Sequence, residues 1–574
     1  MIKRAASLFL ALMFIGSMML PVLAAPTEYK VSQAPVGVFG GQLVVAQITD
    51  PKTFNPVTAA ETSSTDVLAP IFEGLTATDG VTTAVIPSLA KSWKFSDDGL
   101  VWTFYLRQGV KFSDGKELTA DDVVFSFDVI YDENIQTSSR DVLTIDGQYL
   151  KYKKIDTYTV EFTLPSTFAP LLRQILIEIL PKHKLEAAWK AGKFNETWGI
   201  NTPVKDIVGT GMYTMAQYKP NEYVVYLRNA NYWVKNSKDQ VLPYITRYVR
   251  MIVPNLETQT LKFRNGDTDI LGIKNTDYAT FKDLQKKENF TLYNLGATFS
   301  TEFVVFNMNP RNPNFAKDKE PWKLEWFSNQ YFRKGVAHLV DKTTIINQVY
   351  AGLAEPQWSP VSAPNKEFLS TKVTQYAYSL EKAKEMFAKG GFKYVDGKLV
   401  DATGRQVKFE VTTHSENSNR NKIANILVED LKKAGIDAKV TTYTFNTLVE
   451  KLMDTFEFDT IIIGLTGSVE PNNGRNVWHS SGGLHMWNPG QEKPATTWEA
   501  EIDKVFDEGV KVVDPAKRAA IYEKWQLIIS DQVPLIYFVA PQSIAAMRNT
   551  LANVKPTAYG GTIHNLEEIY YLKP

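Results

Sequence analysis

Two short polar runs contain the residues best suited to grip a solute. One holds His414, Ser415, Glu416, Asn417 and Arg420; the other holds Ser468, Glu470, Asn472, Asn473, Arg475, Asn476, Trp478 and His479. Amides, hydroxyls and guanidinium groups at this density supply hydrogen bonds and ion pairs to a polar ligand. Covalent chemistry has no comparable support. There is no cysteine nucleophile, no Gly-x-Ser-x-Gly elbow, no His-Glu-x-x-His pair and no phosphate-binding loop ending in Gly-Lys-Ser/Thr. Gly209-Thr210-Gly211 lacks the third glycine of a dinucleotide loop. The histidines are scattered, and the spacing of His479 and His485 does not put both on one helical face, so neither metal nor cofactor is expected. A glycosidase carboxylate pair needs no local spacing, which leaves a secreted polysaccharide hydrolase as a remote alternative.

The elements around these runs explain why they belong together. Val407, Phe409 and Val411 alternate as in a strand. Ser418 or Asn419 then caps a helix with Ile423, Ile426, Leu427, Leu431 and Ala434 on one side, stopped by Gly435. A second strand over Ala438–Tyr443, a helix over Asn446–Thr455 and a third strand over Thr460–Leu465 complete two β-α-β units. The last run, TIIIGL, is apolar without alternation, as in a strand covered on both faces. Parallel strands with right-handed crossovers follow, and ligands bind beyond the carboxyl ends of such strands. Both polar runs lie there, in the loops Thr413–Asn419 and Thr466–His479.

A longer pattern lies nearer the amino terminus. Residues Pro87 to Asp128 read PSLAKSWKFSDDGLVWTFYLRQGVKFSDGKELTADDVVFSFD. Strand-like runs Ser92–Phe95 and Val101–Leu106 flank the turn at Gly99; a second turn at Gly115 leads to Thr119, which caps a helix bearing Val123, Val124 and Phe127. The string resembles the signature of the family 5 extracellular solute-binding proteins, receptors of peptide and oligosaccharide ABC importers. Phe332–Lys342 resembles a second family helix, and Gly209–Trp233 a third matching region.

The resemblance implies a fold: an α/β, two-lobed periplasmic-binding-protein-like clamp of the large type II class, with an extra α/β subdomain in lobe one. It divides the chain into a signal peptide at 1–24, lobe one at 25–300 with an insertion at about 68–206, lobe two at 301–532, and a return to lobe one at 533–574. It also implies a function, capture of peptides or oligopeptides between the lobes and delivery to a membrane permease and its ATPase. Oligosaccharide capture is the alternative, favoured by Trp478, Trp487 and Trp498 and by the amides. Lobe one would add Asp50, in the loop after its first strand, and lobe two Trp358, after Gly352–Pro356. In peptide receptors of the family an aspartate in the second loop holds the peptide ammonium. Here the corresponding position is Ser468, so either Glu470 takes that role or the ligand lacks a free amino terminus. Arg420 stands near the place where a basic residue meets the peptide carboxylate in some relatives.

Export is read from the residues themselves. Lys3 and Arg4 precede an apolar run over Ala5–Leu20, followed by Val22-Leu23-Ala24 with cleavage expected after Ala24 and no cysteine to carry lipid. A periplasmic monomer is expected. Lys and Arg number 63 against 63 Asp and Glu, a balance that gives no long-range attraction to nucleic acid.

Overall fold

The computed structural model describes residues 27–573; the expected signal peptide lies outside that range. Among the described residues, no helix is long and apolar enough to cross a membrane.

Two large sheets dominate. The first is eight-stranded, with Gln42–Gln47 near its middle, parallel to Arg247–Ile252 and to Ile270–Gly272. Val539–Arg548 and Phe290–Ala297 extend one side as antiparallel strands. The second is five-stranded, in the order Asp437–Tyr443, Lys408–His414, Thr460–Leu465, Thr301–Phe306, Leu535–Tyr537. Its first three strands are parallel and the remaining pairings antiparallel. A four-stranded antiparallel sheet, Ala90–Phe95, Val101–Leu106, Thr159–Thr163 and Lys151–Asp156, forms the base of the inserted layer.

Burial explains the second sheet. Ile461 and Ile463 pack on one face with Trp478 and Trp525, while Ile462 packs on the other with Phe306 and Phe409. A strand buried on both faces has no use for alternation, which is why its sequence is uniformly apolar. The helix Ser418–Lys433 buries Ile423, Ala424, Leu427 and Leu431 against that second face. Its cap is neither of the expected residues: Asn417 Oδ1 accepts from the Arg420 amide at 3.1 Å. Neighbouring Asn and Ser side chains are equally competent caps, and the extended backbone at 417 selects among them. The next helix starts at Phe445 and gives way to a π turn over Lys451–Thr455. In the inserted layer, Thr119 precedes the helix Ala120–Tyr131, and Asp122 Oδ2 accepts from the Thr119 amide at 2.9 Å, closing a capping box.

The chain crosses between the two large sheets twice. Phe290–Ala297 passes through Thr298, Phe299 and Ser300 into Thr301–Phe306, and Leu535–Tyr537 passes through Phe538 into Val539–Arg548. At the second crossing the short strand Ala354–Pro356 also pairs with Val539–Arg548. The arrangement is two lobes on a pair of short connections.

Candidate functional site

Both sheets aim strand ends at the same space. In lobe two, Lys408–His414 and Thr460–Leu465 end at His414 and Leu465; in lobe one, Gln42–Gln47 and Arg247–Ile252 end at Gln47 and Ile252. Ligands of open α/β sheets occupy this position. Among the described residues, cavities between the lobes include the following three. The first, about 360 Å³, has Gln47, Ser63, Asp66 and Arg250 on one wall and His414, Asn417, Arg420 and Phe445 on the other. The second, about 220 Å³, is bounded by Phe299, Asn365, Ser468, Glu470, Asn476 and Trp478 among others. The third, about 790 Å³, runs from Glu73 and the 76–81 turn to the 564–568 segment. It shares Thr466, Gly467, Ser468 and Asn473 with the second.

The lobes touch on both sides of this space. Ser418 Oγ donates to Glu257 Oε1 at 2.8 Å on one rim. On the other, Gln174 Nε2 donates to Asn473 Oδ1 at 2.6 Å and the Gly483 amide to Asp141 Oδ2 at 2.7 Å. This is the geometry of a closed clamp.

Electrostatics in the first cavity centre on Arg420. Its Nε donates to Glu302 Oε1 at 3.0 Å and its Nη1 to His414 Nε2 at 3.1 Å. Tyr350 donates its hydroxyl to Glu302 Oε2 at 2.6 Å. Burial, with the Arg420 charge beside it, holds the His414 imidazole well below its usual range despite Glu416. Neutral His414 accepts from Arg420 at Nε2 and turns its Nδ1 toward Glu416 Oε2 at 3.3 Å. Opposite, Arg250 is 8% exposed; its Nη1 donates to Gln47 Oε1 at 3.2 Å and lies 3.6 Å from Asp66, and its Nε has no partner.

Of the residues singled out in the sequence, His414, Asn417 and Arg420 border the first cavity, and Ser468, Glu470, Asn476 and Trp478 the second. The rest have other tasks. Asp50 is held within lobe one by the Tyr218 hydroxyl at 3.0 Å and the Asn221 amide at 2.8 Å. Ser415 is exposed and lines none of the three cavities. Asn472 is fully buried, donating Nδ2 to the Val142 carbonyl at 3.1 Å across the lobe contact. Arg475 is buried against Asp507 at 2.8 Å. Trp358 faces the interior of lobe two, with Lys342 Nζ 4.4 Å from its ring centre. Glu470, though at the cavity wall, is 4% exposed and holds Arg518 in a two-pronged ion pair, Nη1 to Oε2 being 2.7 Å. Its charge is already neutralised.

The tryptophan-rich stretch is mainly core. Trp487 is 1% exposed and packs between Trp478 and Trp498, its ring tilted against both. Its Nε1 donates to Glu499 Oε1 at 2.9 Å, while Glu499 also accepts from the Thr496 amide at 2.9 Å, closing the capping box of the helix Thr497–Gly509. Burial alone would raise the Glu499 carboxyl; donation from His485, Trp487 and Thr496 outweighs it and brings the group down to about 2. A folded-state pKa below the unfolded 4.5 stabilises the fold above pH 4.5, and that contribution disappears as pH falls through 2. We expect a loss of about 3 kcal/mol across this window. Urea unfolding of wild type and Glu499→Gln at pH 7 and at low pH measures it; equal acid slopes in the two proteins would refute it.

The site residues on lobe one, Ser63, Asp66, Glu73, Arg250 and Glu567, were not legible beforehand. Arg250 alone left a trace, a charge on the otherwise buried face of the strand Arg247–Ile252.

Comparison with known proteins agrees with this architecture. The family model for bacterial extracellular solute-binding proteins, family 5 Middle, matches residues 84–484. A probable ABC transporter-binding protein of Deinococcus radiodurans is 29% identical over 548 residues, covering 90% of each chain. The oligopeptide-binding protein AppA of Bacillus subtilis is 27% identical, covering 90% of this chain and 89% of AppA. The structure of that AppA with a nonapeptide superposes with a TM-score of 0.79 at 26% identity, covering 93% of this chain and all of AppA (100%). The fold is also that of MelB from Agrobacterium fabrum, solved with stachyose, at a TM-score of 0.81 and 20% identity, over 94% of this chain and 86% of MelB. The chain belongs to the family 5 bacterial extracellular solute-binding proteins and is a non-enzymatic, solute-binding protein of an ABC transporter.

Proposed function

We propose that the cleft receives peptides in extended form and presents them, enclosed, to a membrane permease at the periplasmic face. The observation that carries this reading is the series of cavities between the lobes, about 360, 220 and 790 Å³, which suits a ligand of several residues better than a single amino acid. Arg420 supports it at one end: two of its nitrogens are committed to Glu302 and His414, leaving Nη2 for a ligand carboxylate. The similarity to AppA, solved with a nonapeptide, points the same way. Hinging at the two crossings would close the lobes over the ligand, provided the ligand makes contacts in the closed state that it lacks in the open one.

Oligosaccharides are the second reading, favoured by Trp478 beside the amides of Asn365, Asn473 and Asn476 in the middle cavity. Thermal unfolding of the mature protein with a random pentapeptide pool, and separately with pooled oligosaccharides, distinguishes them. Binding at a hundredfold excess over Kd adds about 2.7 kcal/mol of stability. We expect the shift with peptides; a shift with sugars alone would move the assignment to the second reading, and breakdown of either pool would refute both.

A further inference from the structure

The lobe-two loop offers no free carboxylate, since Ser468 is neutral and Glu470 is paired with Arg518. Lobe one does. The cavity of about 790 Å³ that includes Ser468 is walled on its far side by four carboxylates, Glu73, Asp79, Glu567 and Glu568, against two lysines, Lys30 and Lys555, with His564 nearby. Two of the four are spoken for. Glu568 takes Lys555 at 3.0 Å and the Ser32 hydroxyl at 2.6 Å, and Asp79 accepts from the Thr82 amide at 2.7 Å.

Glu73 and Glu567 make no ion pair with any described residue. Glu73 Oε2 accepts from Trp233 Nε1 and the Thr210 hydroxyl, each at 2.8 Å, so it is held by neutral donors only. Burial raises both carboxyls, Glu73 to about 7 with Glu567 contributing, and for Glu567 the charges of Lys30 and Lys555 do not offset it. A separate observation concerns Asn565. It borders the same cavity, is 7% exposed, and its Oδ1 has no hydrogen-bond partner among the described residues. Buried acceptors are normally satisfied, so an orphan on a cavity wall calls for a donor. Two unpaired carboxylates and a free amide oxygen together ask for a group rich in N–H donors and positively charged.

We propose that Glu73, Glu567 and Asn565 form a cation subsite for an ammonium or guanidinium at one end of the bound solute. It deepens the peptide reading: the amino terminus, or a basic side chain next to it, is anchored from lobe one across the cavity from Ser468. An ion pair at contact distance would supply the counter-charge that these half-buried carboxylates do not touch, and a neutral end would not.

The test is competitive capture by the full mature protein of a random pentapeptide pool and the same pool N-acetylated, read by mass spectrometry. Wild type should retain unblocked peptides at least tenfold better. Glu567→Gln and Glu73→Gln should each cut that preference below threefold. Glu73 also ties Trp233 to Thr210, so Glu567→Gln is the variant that reads the charge with least risk to the fold. Equal capture of both pools by wild type, or a preference that survives in Glu567→Gln, overturns the subsite. If neither peptide pool binds, the peptide reading fails, and glucosamine tetramer against N-acetylglucosamine tetramer replaces the probes. A preference for the charged sugar that falls in Glu567→Gln then upholds the subsite, and its absence overturns it.

Discussion

Alanine at position 467 is expected to weaken capture of the bound solute at least tenfold and to lower stability by about 1–3 kcal/mol, the usual range for overfilling a packed position. Gly467 follows the strand Thr460–Leu465 and lies on the wall shared by two of the interlobe cavities. A Cβ built there overlaps the carbonyl of Phe299, which belongs to the first crossing between the lobes. Backbone cannot rotate away as a side chain can, so either the loop or the crossing must shift. Moving the loop displaces Ser468 and Asn473 from the cavity wall; moving the crossing changes how the lobes meet. Both reduce affinity. Gly199→Ala is the control, since a Cβ at that position meets nothing within 4 Å. Calorimetric titration with a captured solute, alongside urea unfolding, reads both quantities. Unchanged affinity in Gly467→Ala would mean that this loop is not part of the binding wall.

The same loop shows what sequence reasoning can and cannot reach. Strand Thr460–Leu465 was readable because covering both faces of a strand selects an unbroken apolar run, a local consequence of a global position. The helix Ser418–Lys433 is readable from its apolar face, but its cap falls at Asn417 and not at Ser418 or Asn419, because the three carry interchangeable capping chemistry. The polar loop residues were harder. Asn472 and Asn476 are both asparagine in one short segment, yet Asn476 lines a cavity while Asn472 bonds to Val142, 330 residues away. Composition cannot separate an amide that waits for a ligand from one already used to join two lobes. Asp50 and Trp358 fell to the same difficulty: one carboxylate meets Tyr218, and one ring meets Lys342. Lobe one's share of the site was nearly invisible for a different reason. Ser63, Asp66 and Glu73 come from the helix Thr62–Leu68 and the turn after it, Arg250 from a strand and Glu567 from a turn near the carboxyl terminus, three stretches that no spacing rule connects.

Glu470 was read as a candidate partner for a ligand ammonium, and its actual partner yields the sharpest stability prediction. Arg518 donates Nη1 and Nη2 to its two carboxylate oxygens, and Arg518 Nε donates to the Gly509 carbonyl at 3.0 Å. The side chains are 9% and 3% exposed, so neither charge has water to fall back on. Glu470 Oε1 also accepts from the Asn472 amide at 3.0 Å, which fixes the turn Pro471–Gly474 that follows. Removing one partner from a buried pair leaves an uncompensated charge, a loss of about 3–5 kcal/mol, whereas replacing both with well-packed neutral groups is often tolerated. Arg518→Met is therefore expected to lower the unfolding free energy by about 3–5 kcal/mol. The double variant Glu470→Gln/Arg518→Met should recover most of that loss, giving a coupling energy well above the roughly 0.3–0.5 kcal/mol error of additivity. Chemical unfolding of the two single variants and the double variant measures the cycle. Additive losses would show that the pair is not coupled and would return Glu470 to the ligand as a free carboxylate. A coupled cycle, with solute affinity retained in the double variant, would confine Glu470 to shaping the loop and leave charge recognition to other residues.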